Sequence, residues 1–309
     1  MKHELTLIAV DVSKESLEIQ TDERSFDVPN TEKGIARLIK AARAAQLPFV
    51  VCEATGGYER LLPESMHAVD IPICRANPAR IRAFAASEGI QAKTDPIDAD
   101  VILKFAKSKE LRPAAPVSSR RRELIALLDR RDHLKEQGAR EKNRIRNSPD
   151  FIHASIKRML NVLKKEITAI EKRIRELIKS DESLSACLSC LTAIKGVGEV
   201  SAWMIMAFLG EITMLSRNEL VALAGVAPYN RDSGRFKGKR KIKGGRAKVR
   251  KALYMATRTA AMYNPVIKAY TDGLQSRGKP YKCAMVAGMR KMLIHMQSEL
   301  RKAEIKVEL

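Results

Sequence analysis

Apolar and polar positions change period several times along this chain, and the changes divide it. Residues 5–12 (LTLIAVDV), 16–22 and 24–29 are short, β-rich and closely spaced, which predicts an antiparallel meander. Helical periodicity follows at 31–45, where Ile35, Leu38 and Ile39 share a face. A strand is expected at 48–54 (PFVVCEA), a helix near 58–68, a strand at 71–76 and helices to about 108. Further on, Ile156, Leu160, Leu163, Ile167, Ile170, Ile174 and Leu177 alternate by four and three residues, a coiled-coil seam. A second helical stretch at 118–146 carries Leu124, Leu127, Leu128 and Leu134; Asn147-Ser148-Pro149-Asp150 should break the helix between the two. An antiparallel helical hairpin is the simplest arrangement, with a seam suited to joining copies into a dimer or tetramer. Short helices are expected over 184–226, and longer ones over 246–303 with breaks near Asn264-Pro265 and Gly278-Lys279-Pro280. Three domains result: 1–112, 113–182 and 183–309.

The first domain's order, three strands and then helix, strand, helix, strand, helix, is that of a ribonuclease-H-like α/β sheet. Asp11 ends an apolar first strand, and Glu53 ends the next buried strand after Phe49-Val50-Val51-Cys52. Charge there is costly unless it is paired or bound to metal. Strand ends of α/β sheets are where ligands collect, and two neighbouring carboxylates suit a divalent ion. The third element is Lys93-Thr94-Asp95-Pro96-Ile97-Asp98-Ala99-Asp100, in which proline at the first helical position makes Asp95 an N-cap and puts Asp98 in the same first turn. Acids at a helix start also simply complement the dipole, and strand-end acids can be merely solvated. Together, however, the segments supply Asp, Glu and an Asp-x-x-Asp pair in the order used by RuvC-like nucleases, a set that suits two Mg²⁺ ions in phosphoryl transfer.

Composition sharpens this. The chain has 309 residues, 45% hydrophobic and 5% aromatic, enough for one or two cores and a helical extension. A formal charge of +21 calls for a polyanionic partner, nucleic acid by default. Residues 1–110 hold 15 Lys and Arg against 17 Asp and Glu, leaving 42 basic and 19 acidic residues to 111–309, so the two parts have different work. Cys52, Cys74, Cys187, Cys190 and Cys283 are an odd set, and Cys187-x-x-Cys190 has no second pair to complete a zinc site; reduced buried thiols are expected. The opening MKHELTLIAVDV lacks a signal-peptide pattern and no apolar run approaches the ~20 residues of a membrane span, so a cytoplasmic, nucleoid-associated protein with no membrane partner is expected.

VDVSK (10–14), CEATGGY (52–58) and KTDPIDA (93–99) resemble the signature segments of the DEDD transposases of bacterial insertion sequences, the family one-ten group of bridge-RNA-guided recombinases. The resemblance covers nearly the whole chain. It implies that Asp11, Glu53, Asp95 and Asp98 form the metal-binding tetrad, and that double-stranded DNA, both donor and target, is the substrate. It also implies an element-derived guide RNA, which nothing in the residues themselves shows.

In the basic part, Ile194-Lys195-Gly196-Val197-Gly198 before an apolar helix is similar to the turn of a helix-hairpin-helix module, whose glycines bring backbone N–H groups to a phosphate; a plain tight turn is the alternative. Ala224-Gly225-Val226-Ala227-Pro228-Tyr229 and then Asp232-Ser233-Gly234 resemble the same family's C-terminal domain, which implies a nucleophilic Ser233. From composition alone such a serine is a turn former. No histidine stands beside it in sequence, so activation falls to the carboxylate–metal site. Residues 231–251 hold eleven basic residues and one acid, interleaved with glycines, and are expected to be a mobile phosphate-facing loop. Its candidate contacts are Arg231, Arg235, Lys237, Lys239, Arg240, Lys241, Lys243, Arg246, Lys248 and Arg250, with Gly196 and Gly198 in the hairpin. The expected function is a recombinase that cuts and rejoins DNA with a serine nucleophile assisted by Mg²⁺. A RuvC-like endonuclease that uses water is the enzymatic alternative, and a non-catalytic nucleic-acid-binding protein is the other.

Overall fold

The computed structural model describes residues 5–90, 95–230, 238 and 240–305, the side chains of 95–97 excepted. It divides into two compact units, Met1–Pro116 and Val117–Leu309.

In the first unit, β1 (Thr6–Val12), β2 (Ser16–Gln20) and β3 (Ser25–Pro29) form the expected meander. β4 (Pro48–Glu53) and β5 (Ile73–Ala76) join β1 in parallel, giving the sheet order β3-β2-β1-β4-β5. The parallel strands are apolar on both faces because each face is covered. On one face Val10, Cys52, Leu17 and Ile73 pack with α1 (Glu32–Arg43) and α2 (Leu61–His67). On the other, Ala9, Val51 and Ala76 pack with α3 (Pro78–Ser87) and α4 (Asp95–Ser108), through Ile81, Ile102 and Phe105. The helix expected near 58–68 is a 3-10 turn, Tyr58–Arg60, running into α2.

The second unit begins with the helical hairpin, α5 (Ser119–Ile145) and α6 (Asp150–Lys179), broken where Pro149 stands. The seam is satisfied within the chain: Ile174, Leu177 and Ile178 share a core with Leu124 and Leu128 of α5. A different face of α6 stays open, with Phe151 84% and Val162 54% exposed. The same core takes in α7 (Glu182–Thr192), α8 (Glu199–Phe208), α9 (Arg217–Leu223), α10 (Ala247–Tyr263) and α12 (Tyr281–Lys302), with Trp203 fully buried. Ile267 joins it from α11 (Pro265–Ser276). Asn264 caps α11 by accepting from Val266 N–H and Ile267 N–H, with Pro265 at the first position, so the same Asn-Pro pair that ends α10 starts α11.

The basic run is more ordered than a loop over its whole length. β6 (Pro228–Tyr229) pairs with β7 (Lys241–Ile242), and α10 has already begun at Ala247. Val249 and Leu253 are buried there, and their four-residue spacing draws the flanking cations into a helix. Residues 231–237 and Lys239 lie outside the described residues.

The thiols meet the expectation of burial only in part, with Cys74 and Cys190 half-buried. Cys52 and Cys187 are buried and burial pushes both up to about 12, but Cys283 is exposed. No helix of the described residues is long and apolar enough to cross a membrane.

Candidate active site

β1 and β4 run side by side in parallel, and the last registered pair is Val10 with Cys52. Asp11 and Glu53 are the next residue on each strand, so they stand together at the carboxyl ends of neighbouring central strands. Side chains alternate faces, so both acids share the face of Ala9 and Val51, the face that α4 covers. On α4, Asp98 lies one turn before Ile102, which is fully buried against that face. Asp11, Glu53 and Asp98 are each half-buried. Asp95 is the first residue of α4 rather than its N-cap, a position that tolerates Pro96 next to it because first-turn N–H groups lack intrahelical acceptors. Its side chain lies outside those described. Asp100 is turned to Lys104, at 2.7 Å.

Among the described residues, no three of His, Cys, Asp and Glu form a ready-made metal cluster. The fit of the site to a divalent ion rests on donor chemistry and placement: hard carboxylate oxygens on two adjacent strand ends and the first turn of the covering helix.

Three residues that the sequence did not single out shape these strand ends. Glu18 on β2 is registered directly across from Asp11, adding a carboxylate on the same face. Asn30 donates from Nδ2 to Ser13 O at 2.9 Å and to Tyr58 O at 3.0 Å, tying the turn after Asp11 to the turn after Glu53. Glu59, only 6% exposed, accepts at Oε2 from Thr55 N–H (3.2 Å), Thr55 Oγ1 (3.0 Å) and Gly57 N–H (2.8 Å). Burial alone would raise the Glu59 pKa, but the Gly57 and Thr55 donors and the nearby Arg75 guanidinium hold it below the usual carboxylate range. The turn itself needs glycine, since Gly56 and Gly57 adopt φ of 81° and 138°.

In the second unit the Gly196 hairpin lies against α10. A Cβ on Gly196, where φ is 104°, would sit 2.7 Å from the Ala260 backbone, and Asn264 Nδ2 donates to Lys195 O at 3.2 Å. Gly198 is the uncapped N-cap of α8. Ser233, Arg231, Arg235, Lys237 and Lys239 fall outside the described residues, but both ends of their segment are pinned. A Cβ on Gly245 would stand 2.2 Å from Gly225 N, so the two backbones touch, and Arg250 Nη1 donates to Gly244 O at 2.6 Å. Arg240, Lys241 and Lys243 are exposed. Arg246 instead grips Glu211 bidentately at 2.7 and 2.9 Å, and Lys248 meets Asp129.

Comparison with known proteins agrees with both halves. A family model for DEDD transposases of the IS110 type, described as a transposase, matches residues 6–153. A second, described as "Transposase IS116/IS110/IS902 family", matches residues 188–272. The chain is 27% identical over 248 residues to the pilin gene-inverting protein of Moraxella lacunata, covering 79% of this chain and 77% of that protein. The pilin gene-inverting protein of Moraxella bovis gives the same values. An uncharacterized 43.6 kDa protein of the insertion element IS110 from Streptomyces coelicolor is 25% identical over 154 residues, 49% of this chain and 37% of that one. A DEDD transposase domain implies a ribonuclease-H-like fold, with which the five-stranded mixed sheet accords. With a transposase domain of this type at each end of the match, the chain belongs to the IS110 family of DNA transposases and recombinases.

Proposed function

We propose that this transposase cuts and rejoins double-stranded DNA through Ser233, with Asp11, Glu53, Asp95 and Asp98 as the acidic tetrad that would hold Mg²⁺. The supporting observation is that Asp11 and Glu53 end adjacent parallel strands on the sheet face covered by α4, while Asp98 occupies that helix's sheet-facing stripe. The ion, when bound, supplies positive charge that lowers the cost of negative charge on the reacting phosphoryl oxygens.

The chain's own residues do the rest. Ser233 Oγ forms a bond to phosphorus, the bridging bond from phosphorus to one sugar oxygen breaks, and the serine proton ends on that sugar hydroxyl. Attack on the serine phosphodiester by a hydroxyl from another strand reverses these steps and regenerates the serine. The number of phosphodiester bonds is conserved, so no nucleotide cofactor is consumed. Cations of the basic run stabilise the charge that builds on the phosphate. Selection of donor and target by an element-derived RNA, and a dimer or tetramer built through the helical hairpin, belong to the same reading. The exposed face of α6 bearing Phe151 and Val162 is the surface open to a second copy.

Purified wild-type protein, incubated with its element-end DNA, co-purified RNA and Mg²⁺, should give a denaturation-resistant protein–DNA adduct. Ser233→Ala should give none while binding DNA normally. Asp11→Asn and Asp98→Asn should lose cleavage and keep or raise affinity, because each removes a negative charge near phosphates. Hydrolytic cleavage that survives Ser233→Ala would establish the water-dependent endonuclease instead, and an adduct recovered from Ser233→Ala would place the nucleophile elsewhere.

A further inference from the structure

A cleft of about 300 Å³ opens in the second unit between α5, α8 and α10. Its apolar walls are Met204 of α8 with Ala252 and Met255 of α10, and Ser201 adds a hydroxyl from the start of α8. Four cations border it: Arg131, Lys135, Lys248 and Lys251. Two are already committed. Arg131 is buried, donating to Glu171 at 2.7 Å with Asp132 at 3.4 Å, and Lys248 meets Asp129. Among the described residues, Lys135 and Lys251 have no carboxylate within ion-pair distance. Burial holds the Lys135 pKa below the usual lysine value, with Arg131 and Lys251 adding to the effect against Glu171 and Asp132. Lys135 and Lys251 thus line the same cleft, where Asp132 and Glu136 are the carboxylates.

We infer that this cleft is a second nucleic-acid contact, in which Lys135 and Lys251 grip one phosphodiester and Met204 and Met255 cover the adjoining sugar. The inference rests on the reading of the chain as a nucleic-acid enzyme. The walls fit such a ligand better than a free anion, because a bare phosphate gains nothing from two methionines, whereas a sugar–phosphate backbone offers an apolar edge beside each charge. Position along α10 agrees. The cleft is lined by Ala252 and the Gly196 hairpin lies on Ala260, eight residues on, about 12 Å along the helix. That spans three to four nucleotides at the ~3.4 Å rise of one duplex strand, so one strand can meet both.

DNA and RNA share this chemistry, and the test separates them. Binding of a fluorescein-labelled DNA duplex and of a labelled RNA stem-loop is followed by anisotropy across a salt series. Lys135→Gln with Lys251→Gln should weaken binding and lower the salt slope by roughly 0.9 for one duplex phosphate contact. The probe that shows the change is the strand that the cleft holds. Glu136→Gln, which removes the exposed carboxylate on the cleft wall, should act oppositely and tighten binding of that probe. Lys164→Gln with Lys165→Gln, an exposed charge-matched pair on α6, serves as the control. Equal losses in both lysine pairs, or an unchanged slope in the cleft pair beside normal wild-type binding, would overturn the site alone. Wild-type protein that binds neither probe would overturn the nucleic-acid reading and the site with it.

Discussion

Gly196→Ala should destabilise the second unit severely, while Gly198→Ala two residues on should cost much less. At Gly196 two penalties add. Its φ of 104° is strained for any residue with a Cβ, at about 1–2 kcal/mol. The new carbon would also lie 2.5 Å from Ala260 Cβ and 2.7 Å from Ala260 Cα and N, and crowding of a packed site costs about 1–3 kcal/mol. Two of the three neighbours are backbone of α10, so no rotamer change relieves them. Against this, alanine restricts the unfolded chain and returns about 0.4–1 kcal/mol. The net is a loss of about 1–4.5 kcal/mol, centred near 3, or roughly 6–12 °C in Tm at that centre for a unit of this size. Gly198 has φ of −88° and nothing within 4 Å of its missing Cβ, so its replacement should cost only the preference of an N-cap for glycine over alanine, about 0.5–1 kcal/mol. Trp203 is the chain's one tryptophan and is wholly buried in this unit's core, so its fluorescence through a urea titration reports on this unit specifically. Midpoints for the two variants that agree within about 0.5 kcal/mol would refute the packing of the hairpin on α10.

Three further outcomes are expected. Glu211 is held below the ordinary carboxylate value: burial raises it, but the Arg246 hydrogen bonds and the charges of Arg246 and Arg121 more than offset that. A depressed carboxylate contributes stability that is fully present above its unfolded value and is lost as pH falls through its lower folded value. The difference in urea midpoint between wild type and Glu211→Gln should therefore be largest near neutrality and shrink in acid below about pH 4.3, and a pH-independent difference would contradict the pairing. Native protein treated with a maleimide should be modified at Cys283 first, with Cys52 and Cys187 protected until denaturant is added; peptide mapping checks this. Ile174→Asp should unfold the hairpin, because Ile174 is buried against α5, whereas Val162→Asp should leave the melt unchanged and lower the sedimentation mass where the outer face of α6 joins copies.

Periodic features were legible in the sequence. The meander, the alternating strands and helices, and the breaks at Pro149, Asn264-Pro265 and Gly278 to Pro280 all have local causes, and they fall where patterning places them. Asp11, Glu53 and Asp98 could be picked out because a charge interrupts an apolar strand end or opens a helix. What patterning could not show was which sheet face the acids share, since that depends on the register of β1 against β4 and on where α4 packs. Asn30 and Glu59 were invisible for a related reason: each acts by bonding backbone groups of turns brought close by the sheet. Glu18 needed only strict alternation in SLEIQ and the hairpin register to be found. The basic run was assigned both to a loop ending at 251 and to a helix from 246, and over the overlap the helix holds, because Val249 and Leu253 give it a buried face. The coiled-coil spacing was real, but spacing alone cannot say whether a seam faces its own chain or another copy.

The contact of Gly225 with Gly245 bears on how this part of the molecule can change over evolution. Gly225 and Gly244–Gly245 meet backbone to backbone, Arg246 N–H donates to Leu223 O at 2.8 Å, and β6 pairs with β7 just inside them. The ends of the intervening segment are thus set at a constant separation by atoms outside it. Doubling the length of a segment closed in this way costs only about 0.6 kcal/mol, so stability alone constrains its length weakly and any tighter limit comes from its chemistry. The two glycine positions are constrained strongly, because any side chain there forces the ends apart. Chimeras whose junctions keep Gly225 and Gly245 should therefore keep the host's stability, whereas junctions that replace either glycine should not.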